Sequence, residues 1–297
     1  MAGCERPGRG FFQEGGTSLA LNASSSLSLL AWIGDFALDR LSYFGDFWRF
    51  SWHTLAHIPA GLTRRRDLSR LLPQAYQIGA ASVPVILVTG LFVGMVLAVQ
   101  AFEQFQAVGL EDRMGVIVSL SVVRELGPVL AGIMLLGRVG GALTAELGTM
   151  NVTEQIDALR AMGADPIHVL VTPRFLACVL LTPVLTLYCN VLGIYGGWLI
   201  SVPIFGVSDS AYWGFTEASV EAWDIWSGLI KSFFFGATLG MISCYKGFHC
   251  GPGAHGVGRA CNQSFVTGFV VILIQDFFLA LFLKNFYEVV WGFKTIF

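Results

Sequence analysis

"ASVPVILVTGLFVGMVLAVQAF", residues 81–102, contains no charged side chain from end to end. A run of about 20 apolar residues is what a helix needs to cross a hydrocarbon core. Four further apolar stretches follow, at about 114–148, 168–201, 225–245 and 264–284. Composition agrees. Of the 297 residues 55% are hydrophobic and only 13% charged, about half the charged share of a soluble domain. The fold class expected is all-α: a polytopic membrane protein with five transmembrane helices.

Outside the spans the chain changes character. Residues 1–27 are rich in Gly and Ser and lack an apolar stretch ahead of Cys4, which predicts a disordered lead-in and no cleavable signal peptide. Between residues 28 and 60, Trp32, Phe36, Phe44, Phe47, Trp48 and Trp52 recur at roughly helical spacing among charges. That pattern suits an amphipathic helix lying in the membrane interface, leading through an elbow to residue 78. Residues 79–297 then form the transmembrane domain.

Loop charges orient the spans. Residues 61–72 hold Arg64, Arg65, Arg66 and Arg70 against Asp67 alone, and residues 246–263 hold Lys246 and Arg259 with no acid. The 202–224 loop carries Asp209, Glu217, Glu221 and Asp224 without a basic residue. The positive-inside rule puts the N-terminal segment, residues 149–166 and the 246–263 loop in the cytoplasm. Five crossings leave the C-terminus outside.

"NVTEQIDALRAMGADP", residues 151–166, interrupts this pattern with a water-facing segment. Asn151 reads as an N-cap, with Glu154 completing a capping box and Gly163 closing the helix before Pro166. Val152, Ile156, Leu159 and Met162 share a stripe, with Glu154, Asp157 and Arg160 pointing elsewhere. About 11 residues reach about 16 Å, half a bilayer. Such a helix either rests on the interface or docks a cytoplasmic partner, and spacing alone leaves both readings open.

Charge inside a span costs a few kcal/mol per residue, so it lines a cavity or is paired. Arg124 and Glu125 lie next to each other in "SVVRELGPVLAG", toward the outer end of the second span, and point about 100° apart on a helix. Asp276, beside Gln275, poses the same choice on the fifth span: a bridge between helices or a contact with a headgroup. Gly137, Gly141, Ala145 and Gly148 permit close helix packing.

Several chemistries lack their motifs. "GPGAHGVG" (251–258) lacks the Lys-Ser/Thr that would complete a Walker A loop, and no zinc-protease or nucleophile-elbow motif occurs. The spacing of His249, Cys250, His255 and Cys261 matches no standard metal pattern, so no metal and no cofactor is expected in this chain. The net charge of −2 gives no basic character that would point to nucleic acid. Three classes remain from the residues alone: a permease subunit driven by another chain, a self-sufficient secondary transporter, or a membrane-embedded enzyme.

"VRELGPVLAG", "GRVGGALTAELGTMNVTEQIDALRAMGADP" and "TPRFLACVLLTPVLTLYCNVLGIYGGWLI" resemble the MlaE-type permease family, the membrane subunits of lipid-transporting ABC systems that work with MCE-domain proteins. The likeness runs over about residues 60–290. It departs at "GRACNQSF", where the family has Ala-Thr-Thr. The resemblance implies a homodimer of permeases in the bacterial inner membrane, driven by two cytoplasmic ABC ATPase subunits that bind the ATP and capped by a ring of MCE-domain subunits. Residues 151–163 would be the helix coupling permease to ATPase, through Glu154, Ile156, Asp157, Leu159, Arg160 and Met162. Phospholipid would sit in a cavity at the dimer interface, with Arg124, Glu125 and Asp276 as its polar residues and Leu91, Met95 and Val99 as apolar lining. The absence of a Ser/Arg-rich transit peptide favours a bacterial over a plastid membrane.

Overall fold

The computed structural model describes Leu38 and residues 41–58, 65–107 and 109–291. The chain divides into two units, Met1–Phe50 and Ser51–Phe297. Of the first, residues 41–50 are helical, with Leu41, Phe44 and Trp48 exposed. Trp32 and Phe36 of the expected interfacial helix lie outside the described residues.

Among its described residues the second unit is built of helices joined by short turns and loops, with no strand. It begins with α1 (residues 51–56), which exposes Trp52 and Leu55, and α2 (Arg65–Ile78). Then follow α3 (Val83–Gln106), α4 (Glu111–Val152), the short α5 (Gln155–Ala161), α6 (Ile167–Ser201), α7 (Asp209–Ser219), α8 (Ala222–Phe248) and α9 (Gly253–Trp291). Five of these helical stretches are long and apolar enough to cross a membrane. With no water in the bilayer core, each must satisfy its own backbone, which a continuous helix does.

α3 and α6 pack backbone against backbone. A Cβ on Gly94 would sit 1.8 Å from the Gly193 carbonyl oxygen, and one on Gly196 would sit 2.2 Å from that of Leu91. Small residues make this approach possible and let dispersion hold the pair in lipid. The stripe expected at Gly137, Gly141 and Gly148 is used less tightly. Gly137 meets the Phe265 ring at 3.5 Å, and Gly141 faces open space. Ile86, Leu135, Leu136, Leu185, Phe235, Leu239 and Ile272 form a core shared by α3, α4, α6, α8 and α9. In a second core, Tyr212 of α7 is buried beside Met114 and Val118 and donates to the Ile194 carbonyl at 3.0 Å.

The loops that charge sorts together share ends of the bundle. Phe102 stacks on Phe205 at 3.9 Å, joining the acidic 103–113 and 202–224 connections. At the other end the Asn151 amide donates to the Cys250 carbonyl at 3.4 Å, joining α5's end of α4 to the loop before α9.

Two boundaries differ from expectation. Asn151 does not cap the short helix: α4 continues through Val152, and Glu154 takes the cap position with φ +59 and no side-chain cap. Asn151 lies inside α4, where its side-chain NH₂ donates to the Cys250 carbonyl. The closing Gly163 does behave as expected, at φ +74, with Gly163 N–H on Arg160 and Ala164 N–H on Leu159, a Schellman closure. The fifth span starts at Gly253, about three turns before the expected residue 264, so most of the 246–263 "loop" is helix. Gly256 allows it: a Cβ there would meet the Gly251 carbonyl at 2.1 Å.

Candidate functional site

α4 is interrupted twice by wide π turns, Val122–Leu126 and Leu136–Gly140, which hold Arg124, Glu125 and Arg138. In the first, the Gly127 N–H reaches back five residues to the Val122 carbonyl. Such turns re-aim the side chains within them and are frequent at functional sites. Pro128 follows and has no N–H to give the carbonyl of Arg124, four residues back. Lys231 of α8 takes that carbonyl instead, at 3.3 Å.

Arg124 and Glu125 both reach α8, by different partners. The Arg124 guanidinium meets Asp224 through Nε and Nη2, each at 2.7 Å from Oδ1. The other oxygen of Asp224 accepts the Glu221 N–H at 3.1 Å, closing the capping box at the start of α8. Glu125 pairs with Lys231, whose ammonium also lies 3.4 Å from Asp276 of α9. Asp224 and Lys231 are buried, whereas the Glu125 side chain is 48% exposed. Low dielectric around the buried members strengthens these pairs and makes their isolation costly.

The half-exposed members open onto a cavity of about 480 Å³ between α4, α8 and α9, within the range of small-molecule sites, about 300–1,000 Å³. One side carries Arg124, Glu125, Asp224 and Lys231; the other carries Phe277, Leu281 and Leu283. Trp223, Tyr287 and the Lys284–Glu288 pair form the rim toward the ends of α8 and α9. The cavity therefore has a charged floor and an apolar wall, the arrangement an amphiphile requires.

Of the residues expected at a cavity, Arg124 and Glu125 line this one and Asp276 adjoins it through Lys231. Leu91, Met95 and Val99 are not brought there. They lie on α3, where Leu91 abuts α6 and Val99 is exposed at 44%. Sequence reasoning missed Lys231 and Asp224. Lys231 is the lone basic residue between Ala222 and Tyr245, and an isolated cation in a span calls for a partner.

At the opposite end stands α5. Ile156 is buried within the chain and Leu159 half-buried, whereas Met162 is 72% exposed. Asp157 and Arg160 pair on the outer face at 2.8 Å, and the Arg160 guanidinium lies 5.7 Å from the centre of the Phe248 ring. Glu154 is exposed at the turn. The expected apolar stripe is thus split. Ile156 anchors the helix to its own chain, and Met162, Asp157, Glu154 and Arg160 form the free surface.

Among the described residues, His249, Cys250, His255 and Cys261 do not gather as a ligand set. His249 bonds the Tyr245 carbonyl, Cys250 the Gly148 carbonyl and Cys261 the Gly141 carbonyl.

A family model described as Permease MlaE matches residues 71–282. A probable ABC transporter permease protein of Rickettsia felis is 40% identical over 236 residues, covering 79% of this chain and 91% of the relative. The intermembrane phospholipid transport system permease protein MlaE of Haemophilus influenzae is 38% identical over 216 residues, 72% of this chain and 83% of that protein. A chloroplastic protein of Arabidopsis thaliana, trigalactosyldiacylglycerol 1, is 41% identical over 211 residues, 71% of this chain and 60% of its own length.

Proposed function

The chain belongs to the MlaE permease family, and on that premise we propose that it is the membrane subunit of an ABC transporter moving phospholipids between membranes. It sits in a bacterial inner membrane with its N-terminus cytoplasmic and its C-terminus periplasmic. Two copies pair, two ATPase chains bind and hydrolyse the ATP, and a ring of MCE-domain subunits caps the periplasmic side. The Haemophilus influenzae relative, by its name, serves phospholipid transport.

The observation that carries this reading is the cavity whose floor is charged and whose wall is apolar. A phospholipid headgroup presents a phosphate, often with an ammonium. Half-exposed Arg124 suits the first, and half-exposed Glu125 suits the second. Each acyl chain contributes about 0.8 kcal/mol per buried CH₂ against an apolar wall, and exposed Phe277 and Phe278 of α9 extend that wall into the bilayer. The lipid moves only if two states of the permease bind it differently. ATPase closure pushing on α5 supplies the second state: narrowing the cavity removes the wall while the charges stay paired among themselves, and the lipid leaves.

Reconstitution tests it. The permease is placed in vesicles with its ATPase and MCE partners, and transfer of a fluorescent phospholipid to acceptor vesicles is followed. Transfer that requires ATP, and fails when Arg124 and Glu125 are both replaced by Gln in a folded protein, is expected. Transfer without ATPase would point to a secondary transporter and would overturn the reading.

A further inference from the structure

Away from the cavity, at the end of the bundle where α5 lies, three ligating side chains converge. His53 and His57 sit four residues apart, one turn on the same face, and Asp165 stands in the elbow between α5 and α6. Asp165 Oδ2 lies 3.5 Å from His57 Nε2 and 3.8 Å from His53 Nδ1, and the three ligand atoms lie within 4.8 Å of one another.

The hydrogen bonds around the group orient it. His57 Nδ1 is 2.7 Å from the His53 carbonyl. A carbonyl only accepts, so Nδ1 carries the proton and a neutral His57 presents a bare Nε2 lone pair to the carboxylate. Asp165 Oδ1 is held by the Ile167 N–H at 3.0 Å, which leaves Oδ2 facing the imidazoles. Lone pairs of Nε2 and Oδ2 facing each other repel unless a proton or a metal ion lies between them. A direct charged N–H···O bond is shorter, about 2.7–2.9 Å. Ligands of a tetrahedral ion at about 2.0–2.1 Å stand about 3.3 Å apart along each edge; the 3.5 Å between His57 and Asp165 is near this, and the wider separations to His53, within 4.8 Å, would close by a turn of its half-exposed side chain.

We propose that His53, His57 and Asp165 form a binding site for a divalent transition-metal ion of the zinc type. Two imidazoles and one carboxylate are a donor set such ions take, with a position left for water. Metal-bound histidines commonly donate their second ring nitrogen to a backbone carbonyl, which fixes the tautomer, and His57 does so here. His168, whose ring centre is 5.3 Å from that of His57, flanks the open position. The bound ion ties α1 to the elbow that follows α5. The site stands independently of the transport reading.

The test uses the full chain without a polyhistidine tag, in nanodiscs, stripped with chelator and titrated with Co²⁺ and then Zn²⁺. One Co²⁺ per chain is expected, with visible absorption of four-coordinate geometry that Zn²⁺ abolishes. H57Q and D165N, judged folded by size-exclusion profile, should each weaken binding by about tenfold or more. A double variant H249A/C250S should bind as the parent does. The proposal is overturned if the parent binds neither ion, if H57Q and D165N bind as tightly as the parent, or if binding is lost in H249A/C250S instead.

Discussion

Glu125 of α4 and Lys231 of α8 form an ion pair with one end in the protein and the other in the cavity: the Lys231 side chain is 3% exposed and that of Glu125 48%. The asymmetry gives the two residues different burdens. Lys231 also faces Asp276 and the Arg124 carbonyl, so it joins three helices. Glu125 has one such partner and a free edge.

Removing the buried end should therefore cost more than removing the open one. Lys231→Met strands Glu125 and Asp276 without a cation. It is expected to destabilise the protein by about 3 kcal/mol or more, the scale of breaking a buried pair. Glu125→Gln leaves Lys231 paired with Asp276 and should cost less than a third of that. Thermal unfolding in nanodiscs reads the ranking, which fails if Glu125→Gln is the more damaging change. Mass spectrometry of co-purified lipid should show Glu125→Gln losing lipid at near-parental stability.

The Arg124–Asp224 pair invites a double-mutant cycle. Asp224 is 2% exposed and also caps α8, so Arg124→Met alone leaves a buried carboxylate unpaired. Asp224→Asn alone keeps a hydrogen-bonding cap but drops the charge. The two changes together should be less harmful than the sum of the singles, by about 1–3 kcal/mol of coupling. Strict additivity in the midpoints of unfolding would show that the pair carries no mutual stabilisation.

The architecture was largely legible in the sequence because lipid imposes a crude requirement: long apolar stretches separated by charge. The five spans and the sorting of their loops needed no tertiary information. Arg124 and Glu125 stood out for the same reason. What spacing along one chain does not reveal is a partner on another helix, so Asp224, which looked like a loop acid, and Lys231 went unmarked until α8 was set beside α4. The cap at Asn151 failed for a related reason: α4 runs on through Val152, and the Asn151 side chain is turned to the Cys250 carbonyl, 99 residues away, to which its NH₂ donates. Gly256 and Gly258 read as a loop because glycine disfavours helices by about 1 kcal/mol each; at Gly256 the close approach of the Gly251 backbone requires glycine within the helix.

The short helix α5 divides into an anchor and a free face, and the two should separate experimentally. Ile156→Asp buries a carboxylate at a site only 1% exposed and should lower the yield of folded protein. Met162→Asp with Arg160→Gln changes exposed side chains and costs one surface ion pair and one ring contact, so folding should survive within about 1–2 kcal/mol. If α5 is the contact with the ATPase, that second variant loses ATPase co-purification and stimulated hydrolysis while staying monodisperse. Retention of both at parental levels would remove α5 from the coupling path.

The glycines of α3 and α4 provide a final contrast, and it turns on backbone approach rather than on glycine as such. At Gly94 a single methyl would stand 1.8 Å from the Gly193 carbonyl, and that atom is backbone, with no rotamer by which to yield. Gly94→Ala must push α3 and α6 apart along their whole contact, losing dispersion that nothing in the lipid replaces. At Gly141 the same methyl meets nothing within 4 Å, and alanine is the better helix former by about 1 kcal/mol. Gly94→Ala should therefore lower the unfolding temperature and the yield of monodisperse protein, whereas Gly141→Ala should leave both unchanged or slightly raised. The assay also probes the surroundings of Gly141. It faces open space in a single chain, so if a second permease copy packs there, Gly141→Ala will weaken the dimer without unfolding the chain, and size-exclusion with light scattering will show it.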